Sequence, residues 1–573
     1  GIIAPVNRKA IVKASMYLLL IAILLIPRVA ALDSFSTLDE PYWLSMGANF
    51  YYALGQREFE NTVYEYQPAV TTMWIVTGAM LGYFPQYRGL GQGYLDMEKA
   101  QLDPFMLEYG KDPLALLSLA RLIQVLVVTF LFLLLYYLLQ FFIPSVTAFF
   151  VVLFASFDPF FLGQSRLLDH EAMLSLFGLI SVLSLAIFLT QKRSHLFLIL
   201  SAVAAGLAQL TKSSAIAILV PVGVLLLIQL IQERQNGLSK ALLNLIKVFG
   251  IWLVVLIVTY VVFWPGMWVA PGKMLYEVYG NAFSYALQGA RLKVTSELTP
   301  SEFRLSNSLA EIWALFSVVL WRTTPLTWLG TLAGFSIPFT RDRELVRSYR
   351  QLATLSVVTA LAFILMFSLA QGRNSPHYVL SSYLALNVLA GLGWFHLIKW
   401  TLKSVPVIQY SALFALIFIQ AWSAVSFYPY YYTYRNPILY SLGQYRDFPQ
   451  FPYGEGLELA AQYLASQPDA ENSVSLVYFY RGCFSYFYPG TSIGFRPFWV
   501  DGEHDEDLVN AVQNADYVVV YYALQGNLDK YADYVKALSR VEPIHEVWLD
   551  GYKYVEIYRV DDFPPAVFED LAQ

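Results

Sequence analysis

The sequence predicts a polytopic α-helical membrane protein of about eleven transmembrane helices with a small extracytoplasmic α/β domain at its C-terminal end, and three observations carry that expectation. The first is composition: 57% of the 573 residues are hydrophobic and only 14% are charged, against roughly 45–50% and about 25% in soluble domains. An ordinary globular core is therefore excluded as the main architecture. The second is a succession of almost wholly apolar windows of the length that a hydrocarbon core about 30 Å thick demands of a helix. The third is the placement of positive charge, because loops rich in Lys and Arg alternate with loops that lack them, as expected when cationic loops stay on the cytoplasmic side.

The windows run approximately over 11–32, 116–140, 146–164, 171–190, 195–211, 214–232, 241–264, 321–340, 351–370, 377–398 and 406–426. No small-residue cleavage site follows the first, which reads as a retained helix and not a removable signal peptide. The chain starts at Gly1 and not at Met, so a short preceding piece is expected. The stretch Ala69 to Phe84 is shorter still and reads as a helix lying in or dipping into the interface; a spanning role for it would invert everything after it. Arg8, Lys9 and Lys13 place the N-terminus on the cytoplasmic side, and alternation then brings Lys192 and Arg193, Arg234 and Lys240, Arg341 to Arg350, and Lys399 and Lys403 to that same side. The opposite face receives a long first loop (33–115), the turns at Arg166–Glu171 and Gln209–Ser213, a loop over 265–320, the turn near Arg373, and everything after Ser426.

Residues 1–426 are thus expected to form the transmembrane domain and 427–573 an extracytoplasmic domain. The second part opens with the aromatic run Tyr428-Pro429-Tyr430-Tyr431-Tyr432, suited to a membrane interface. An amphipathic stretch, Gly456–Ala465, and β-rich runs at Ser473–Tyr480, Tyr517–Tyr522 and Tyr552–Tyr558 follow. The single cysteine, Cys483, excludes an intramolecular disulfide and cysteine-based zinc sites. A formal charge of −5 without a basic stripe argues against a nucleic-acid partner.

Candidate chemistry gathers at the ends of the spans that face outward. Asp39-Glu40 follows the first span; adjacent carboxylates diverge on a helix, so at most one points into a site, and a solvated helix cap is the plainer reading. In Gln164-Ser165-Arg166-Leu167-Leu168-Asp169-His170-Glu171, helical spacing would set Arg166 beside Asp169 and His170, either as a clasp between spans or as part of a site. The acidic and histidine groups there could ligate a metal, but their spacing matches no strong zinc motif, and a metal stays unknown. Lys212, in Gly206-Leu207-Ala208-Gln209-Leu210-Thr211-Lys212, meets a phosphate or snorkels to the surface. Arg291 with Lys293, and Arg373 with His377, are further cations suited to a phosphate or lipid head group.

The order of these pieces resembles the C-type (GT-C) membrane glycosyltransferase superfamily, in its protein O-mannosyltransferase and aminoarabinose transferase branch. The pieces are an Asp-Glu pair in a long first loop, Gln67-Pro68-Ala69 followed by Trp74, an Arg-x-x-Asp turn, a Gly-Leu-Ala-x-Leu-Thr-Lys turn and the later Pro376-His377-Tyr378. The resemblance covers roughly residues 11–400, and it implies transfer of a sugar from a polyprenyl-phosphate carrier to a protein, lipid or glycan acceptor at the outer face, with no cofactor required. It makes Asp39 the catalytic carboxylate, Glu40 its neighbour, Asp169 a second acidic group, and Arg166, Lys212, Arg291, Lys293, Arg373 and His377 candidates for the carrier phosphate. Gln67-Pro68-Ala69 stands where relatives commonly have Lys-Pro-Pro, and Pro376-His377-Tyr378 where they often have Pro-Arg-Tyr, so different cations are expected to hold the phosphate. The lack of disulfides and of a large insertion in 265–320 points to a prokaryotic plasma membrane. Two other classes stand beside this reading: a membrane scaffold or receptor that binds partners through the C-terminal domain, and a secondary transporter. The transporter fits less well, because no repeat is visible and the polar residues lie at span ends and not at the midplane.

Overall fold

The computed structural model describes residues 8–64, 66–90, 93–95, 102–191, 194–288, 309–339, 346–370, 375–402, 405–442, 451–495, 506–523 and 537–571. The chain divides into two compact units: Gly1–Ala30, Met46–Tyr94 and Ala120–Ile438 form one, and Ala31–Ser45, Leu95–Leu119 and Leu439–Gln573 the other.

Every expected window coincides with helix. Among the described residues eight helices are long and apolar enough to cross a bilayer: Ile11–Val29, Pro113–Leu139, Glu171–Gln191, Ser213–Glu233, Leu238–Phe263, Arg347–Leu369, Pro376–Thr401 and Pro406–Val425. This is a multi-pass membrane protein. The other windows hold shorter helices: His195–Thr211 matches its window end for end, Pro325–Ser336 fills most of 321–340, and Ser145–Ser156 with Pro159–Gln164 shares 146–164. Val70–Tyr83 forms the short helix expected between the first two spans.

The break in the window 146–164 has a local cause. Asp158 caps the second piece, its Oδ1 accepting from the Phe161 amide at 2.9 Å, and Pro159 occupies the first helical position where no amide is needed. The Asn387 amide donates to Asp158 Oδ2 at 3.0 Å, Thr327 Oγ1 donates to Asn387 Oδ1 at 2.8 Å, and Thr324 Oγ1 donates to Gln420 Oε1 at 2.6 Å. All of these side chains are buried, and each finds its partner on another helix or turn, as polar groups within a membrane-spanning bundle must.

Close helix approach comes from glycine. Pro325–Ser336 and Leu380–Thr401 meet through Gly330-x-x-x-Gly334 on one helix and Gly393 on the other. A Cβ at Gly393 would overlap the Gly330 carbonyl and the Gly334 amide, which are main-chain atoms and cannot swing aside. Small residues are how helices gain packing contacts where the surrounding lipid is as apolar as they are.

The second unit carries a five-stranded sheet built from β1 (Val474–Tyr478), β2 (Thr491–Phe495), β3 (Tyr517–Tyr521), β4 (His545–Leu549) and β5 (Tyr552–Arg559), in the order β2-β1-β3-β5-β4. β1 pairs parallel with β2 and β3, while β5 runs antiparallel to β3 and β4. On one face Val477, Val519, Tyr521, Val555 and Ile557 pack with Leu457 and Leu464 of the helix Leu457–Ala465. On the other, Leu476, Val518, Val520 and Tyr558 pack with Val512, Val567 and Leu571 from helices Glu506–Gln513 and Pro565–Leu571. The alternation of Val518 and Val520 against Val519 and Tyr521 is the two-residue period of a strand buried on both faces.

Replacing Gly393 by Leu is expected to force the two helices apart and to destabilise the protein by at least about 1–3 kcal/mol, the usual cost of overpacking. Thermal unfolding of detergent-solubilised protein measures it, and an unchanged midpoint would show that this contact is not tight.

Candidate functional site

In the helical unit, five stretches come together where helices Glu171–Gln191 and His195–Thr211 begin and end on the same side of their hairpin. Lys212, the C-terminal cap of the second helix, pairs through Nζ with Oε1 of Glu171, the first residue of the other. A carboxylate at a helix N-terminus and an ammonium at a C-terminus each complement the exposed peptide dipoles, so the pair satisfies two helix ends at once. Both side chains are buried. The Lys212 ammonium lies 4.5 Å from the centre of the Tyr378 ring, which brings the Pro376-His377-Tyr378 helix start to the same place. The Gln67-Pro68-Ala69 stretch arrives from a third direction: the Ala69 amide donates to the Thr211 carbonyl at 3.2 Å, and the hydroxyls of Thr71 and Thr211 are 2.9 Å apart. Tyr279 donates to Gln209 at 2.8 Å and so joins the stretch after 265 to the same helix end.

The Asp169 turn completes the cluster. Asp169 Oδ1 accepts from the His170 amide at 2.6 Å and lies 3.3 Å from His170 Nδ1, while His170 Nε2 is 3.9 Å from Glu171 Oε1. Burial, with Lys212 and His377 adding positive charge, holds the His170 imidazole well below its usual range. The turn itself is fixed by Gln124, which donates to the carbonyls of both Leu167 and Asp169. In the sequence, a lone glutamine in an apolar window looks like a tolerated polar residue. Its signal is being the one amide in the long run from Pro113 to Leu139.

Arg166 needs a correction. Residues 165–170 are not helical, so the three- and four-residue spacing does not set its neighbours. Its guanidinium donates to the Ala30 carbonyl and, at 3.2 Å, to the Pro429 carbonyl, and it lies over the Tyr431 ring at 5.2 Å. Arg28 and Arg322, which sequence reading did not single out, do the same: Arg28 donates to Leu24 and Ser156 carbonyls at 3.0 Å, and Arg322 to the Tyr432 carbonyl at 2.8 Å. Arg291, Lys293 and Arg373 lie outside the described residues.

In the second unit Asp39 immediately precedes the helix Glu40–Gln56 and is half-buried. The Tyr453 hydroxyl donates to Asp39 Oδ2. Glu40 diverges from it, as adjacent residues must, and its Oε2 accepts from the amide and hydroxyl of Thr37 at 2.8 and 2.9 Å. Glu40 thus ties the start of its helix to the turn before it, a structural task. Asp103, from the long first loop, is gripped by both Nη atoms of Arg481 at 2.9 and 3.0 Å. Among the described residues no group of three or more His, Cys, Asp or Glu side chains is arranged to hold a metal ion.

Residues 117–264, about a quarter of the chain, match the family model described as Dolichyl-phosphate-mannose-protein mannosyltransferase. That stretch contains the Asp169 turn and Lys212, and over it the match bears out the resemblance to protein O-mannosyltransferases. No curated protein sequence matches the chain significantly. Among solved structures, the chain is similar to ArnT from Cupriavidus metallidurans bound to undecaprenyl phosphate, at 15% identity and a TM-score of 0.49, covering 94% of this chain and 97% of that one. It is also similar to the oligosaccharyltransferase AglB from Archaeoglobus fulgidus, at 12% identity and a TM-score of 0.45, covering 92% and 71%. The protein O-mannosyltransferase Pmt1-Pmt2 complex of S. cerevisiae matches at 16% identity and a TM-score of 0.34, over 52% of this chain and 38% of that chain.

Lys212→Met removes the cation from a buried carboxylate and is expected to cost about 3–5 kcal/mol of stability. Adding Glu171→Gln should recover a large part of that loss. A double-mutant cycle on unfolding in detergent measures the coupling, and strictly additive effects would deny that the pair acts as a unit.

Proposed function

We propose that the protein transfers a sugar from a polyprenyl-phosphate carrier to a protein, lipid or glycan acceptor at the outer face of a prokaryotic plasma membrane. The observation that carries this reading is the convergence of the Gln67, Asp169, Lys212 and Tyr378 stretches on one buried charged cluster. Buried ionisable groups are costly near a membrane, and a cluster of two carboxylates, an imidazole and an ammonium on segments this far apart is a functional-site expectation. The match of residues 117–264 to a family whose donor is a polyprenyl-phosphate sugar supports the donor class.

In this mechanism Asp39 is the general base. As the acceptor oxygen bonds to the anomeric carbon, Asp39 takes its proton, and the bond from that carbon to the phosphate oxygen breaks, leaving the carrier phosphate. Attack from the face opposite the phosphate inverts the anomeric centre, as in single-displacement glycosidases. Asp169 is the second acidic group. Lys212, oriented by Glu171, supplies fixed positive charge, and Arg291, Lys293, Arg373 and His377 are proposed to meet the phosphate, whose charge develops further in the transition state. Arg166, engaged with main-chain carbonyls, is assigned to holding the Asp169 turn.

Asp39→Asn keeps the size of the side chain and removes its basicity. It should lower kcat by a factor of about 10²–10⁴ and leave donor binding largely intact, while Glu40→Gln should act mainly on stability. Initial rates against polyprenyl-phosphate-sugar concentration decide it, and near wild-type turnover in Asp39→Asn would sink the base assignment.

The proposed orientation has the N-terminus in the cytoplasm and the C-terminal domain outside. Cys483 is buried, and burial with nearby Glu40, Glu458 and Glu455 pushes its thiol well above the usual range, so the native cysteine is silent to labelling. A membrane-impermeant maleimide should therefore label the exposed variant Ser466→Cys in intact cells and Ser239→Cys only after lysis. The reverse pattern would overturn the orientation.

A further inference from the structure

The carboxylate assigned as the base is held by a residue more than four hundred positions away, and the segment that carries it, Tyr453-Gly454-Glu455-Gly456, is built to stay in place. Gly454 and Gly456 have φ of +102° and +91°, a region that favours glycine. A Cβ on Gly454 would come within 2.6 Å of the Cys483 sulfur. The amides of the segment are taken up one after another. Tyr453 donates to Glu455 Oε2 at 2.7 Å, Gly454 to the Tyr521 hydroxyl at 2.9 Å, and Gly456 to Glu458 Oε2 at 3.0 Å. Tyr521 closes β3, so the segment is tied to the central sheet. The Tyr453 carbonyl accepts from the Leu38 amide at 3.0 Å, next to Asp39 itself. The Tyr453 ring is buried and stacks on Phe451 with centroids 5.1 Å apart. Its hydroxyl, with the backbone and ring both fixed, donates to Asp39 Oδ2.

We propose that Tyr453 of the C-terminal domain is a positioning residue for the Asp39 carboxylate, restricting its rotation and favouring its ionised, proton-accepting form. The inference rests on Asp39 acting as general base. A donor hydrogen-bonded to a carboxylate stabilises the charged form relative to the neutral one. During transfer the acceptor proton passes to Asp39, the sugar leaves the phosphate oxygen, and Tyr453 keeps its own proton throughout. The α/β domain thereby takes part in the reaction as a support for its base.

The test uses the full chain in detergent, with pH profiles of kcat/KM and separate kcat and donor KM values. Tyr453→Phe keeps the ring and removes the donor. It should lower kcat about 10-fold or more, because a carboxylate free to rotate is held less well in line for proton transfer, and leave the donor KM little changed. The acidic limb of the profile should move to higher pH by about one unit, because Asp39 then holds its proton more tightly. Incorporation of 3-fluorotyrosine at position 453, a stronger donor, should move the limb to lower pH and decides the matter if Tyr453→Phe does not fold. A purely structural role for Tyr453 would change the unfolding midpoint without moving the limb, and that result overturns the proposal while an inactive Asp39→Asn leaves the base assignment standing. An active Asp39→Asn overturns the base assignment and this inference together.

Discussion

The pairing of Lys212 with Glu171 is the constraint on which the arrangement of the helical unit's loops depends. Each residue sits at the end of a helix whose outer turn carries exposed peptide dipoles, and each is buried. A buried ammonium or carboxylate alone would carry several kcal/mol of desolvation penalty, which only a close opposite charge offsets. Once the two helix ends are locked at one level, the Thr211 carbonyl and hydroxyl stand where Ala69 and Thr71 use them, and the ammonium stands where the Tyr378 ring covers it. Three chain segments with no local reason to meet are thereby held together. The interaction thus sets the geometry of a charged cluster as well as contributing stability.

Buried arginines show a second use of positive charge in the same unit. Arg28, Arg166 and Arg322 each donate to main-chain carbonyls and lie over the face of an aromatic ring, Phe132, Tyr431 and Phe160 respectively. Helix ends and turns leave carbonyls without intrahelical partners, and where water is scarce a fork of five N–H donors is an effective substitute. The guanidinium is also the cation most weakly hydrated and best suited to stacking. Cations of this kind hold the scaffold, and Arg166 belongs with them although its neighbours in sequence belong to the candidate site.

The second unit takes in both ends of the first loop, Ala31–Ser45 and Leu95–Leu119. Arg481 grips Asp103 through a two-pronged ion pair, Leu38 donates to Tyr453, and Tyr453 holds Asp39. The sheet behind these contacts is parallel around β1 and packed on both faces, a stiff frame for side chains at its edge. Glycines with positive φ at 454 and 456 let the chain turn tightly enough to deliver Tyr453 from that frame.

The membrane class, the positions of the helices and the central strands were legible in the chain, because these follow from local runs of apolar residues with one periodicity. The window 195–211 matches its helix end for end, and β1, β3 and β5 fall inside or almost inside the β-rich runs. β2 and β4, which the sequence left unmarked, are the two edge strands; an edge is half-exposed and mixes polar with apolar residues, as in Thr491–Phe495 and His545–Leu549, so its pattern is weak. Among the candidate residues, the motifs containing Asp39, Asp169 and Lys212 were legible as charge out of place in an apolar chain. Their partners Glu171, Gln124, Tyr378 and Tyr453 were decided by the tertiary structure alone. A hydrogen bond or ion pair between residues tens to hundreds of positions apart leaves no periodic trace in the chain, and only packing reveals that Arg166 faces carbonyls while Lys212 faces a carboxylate.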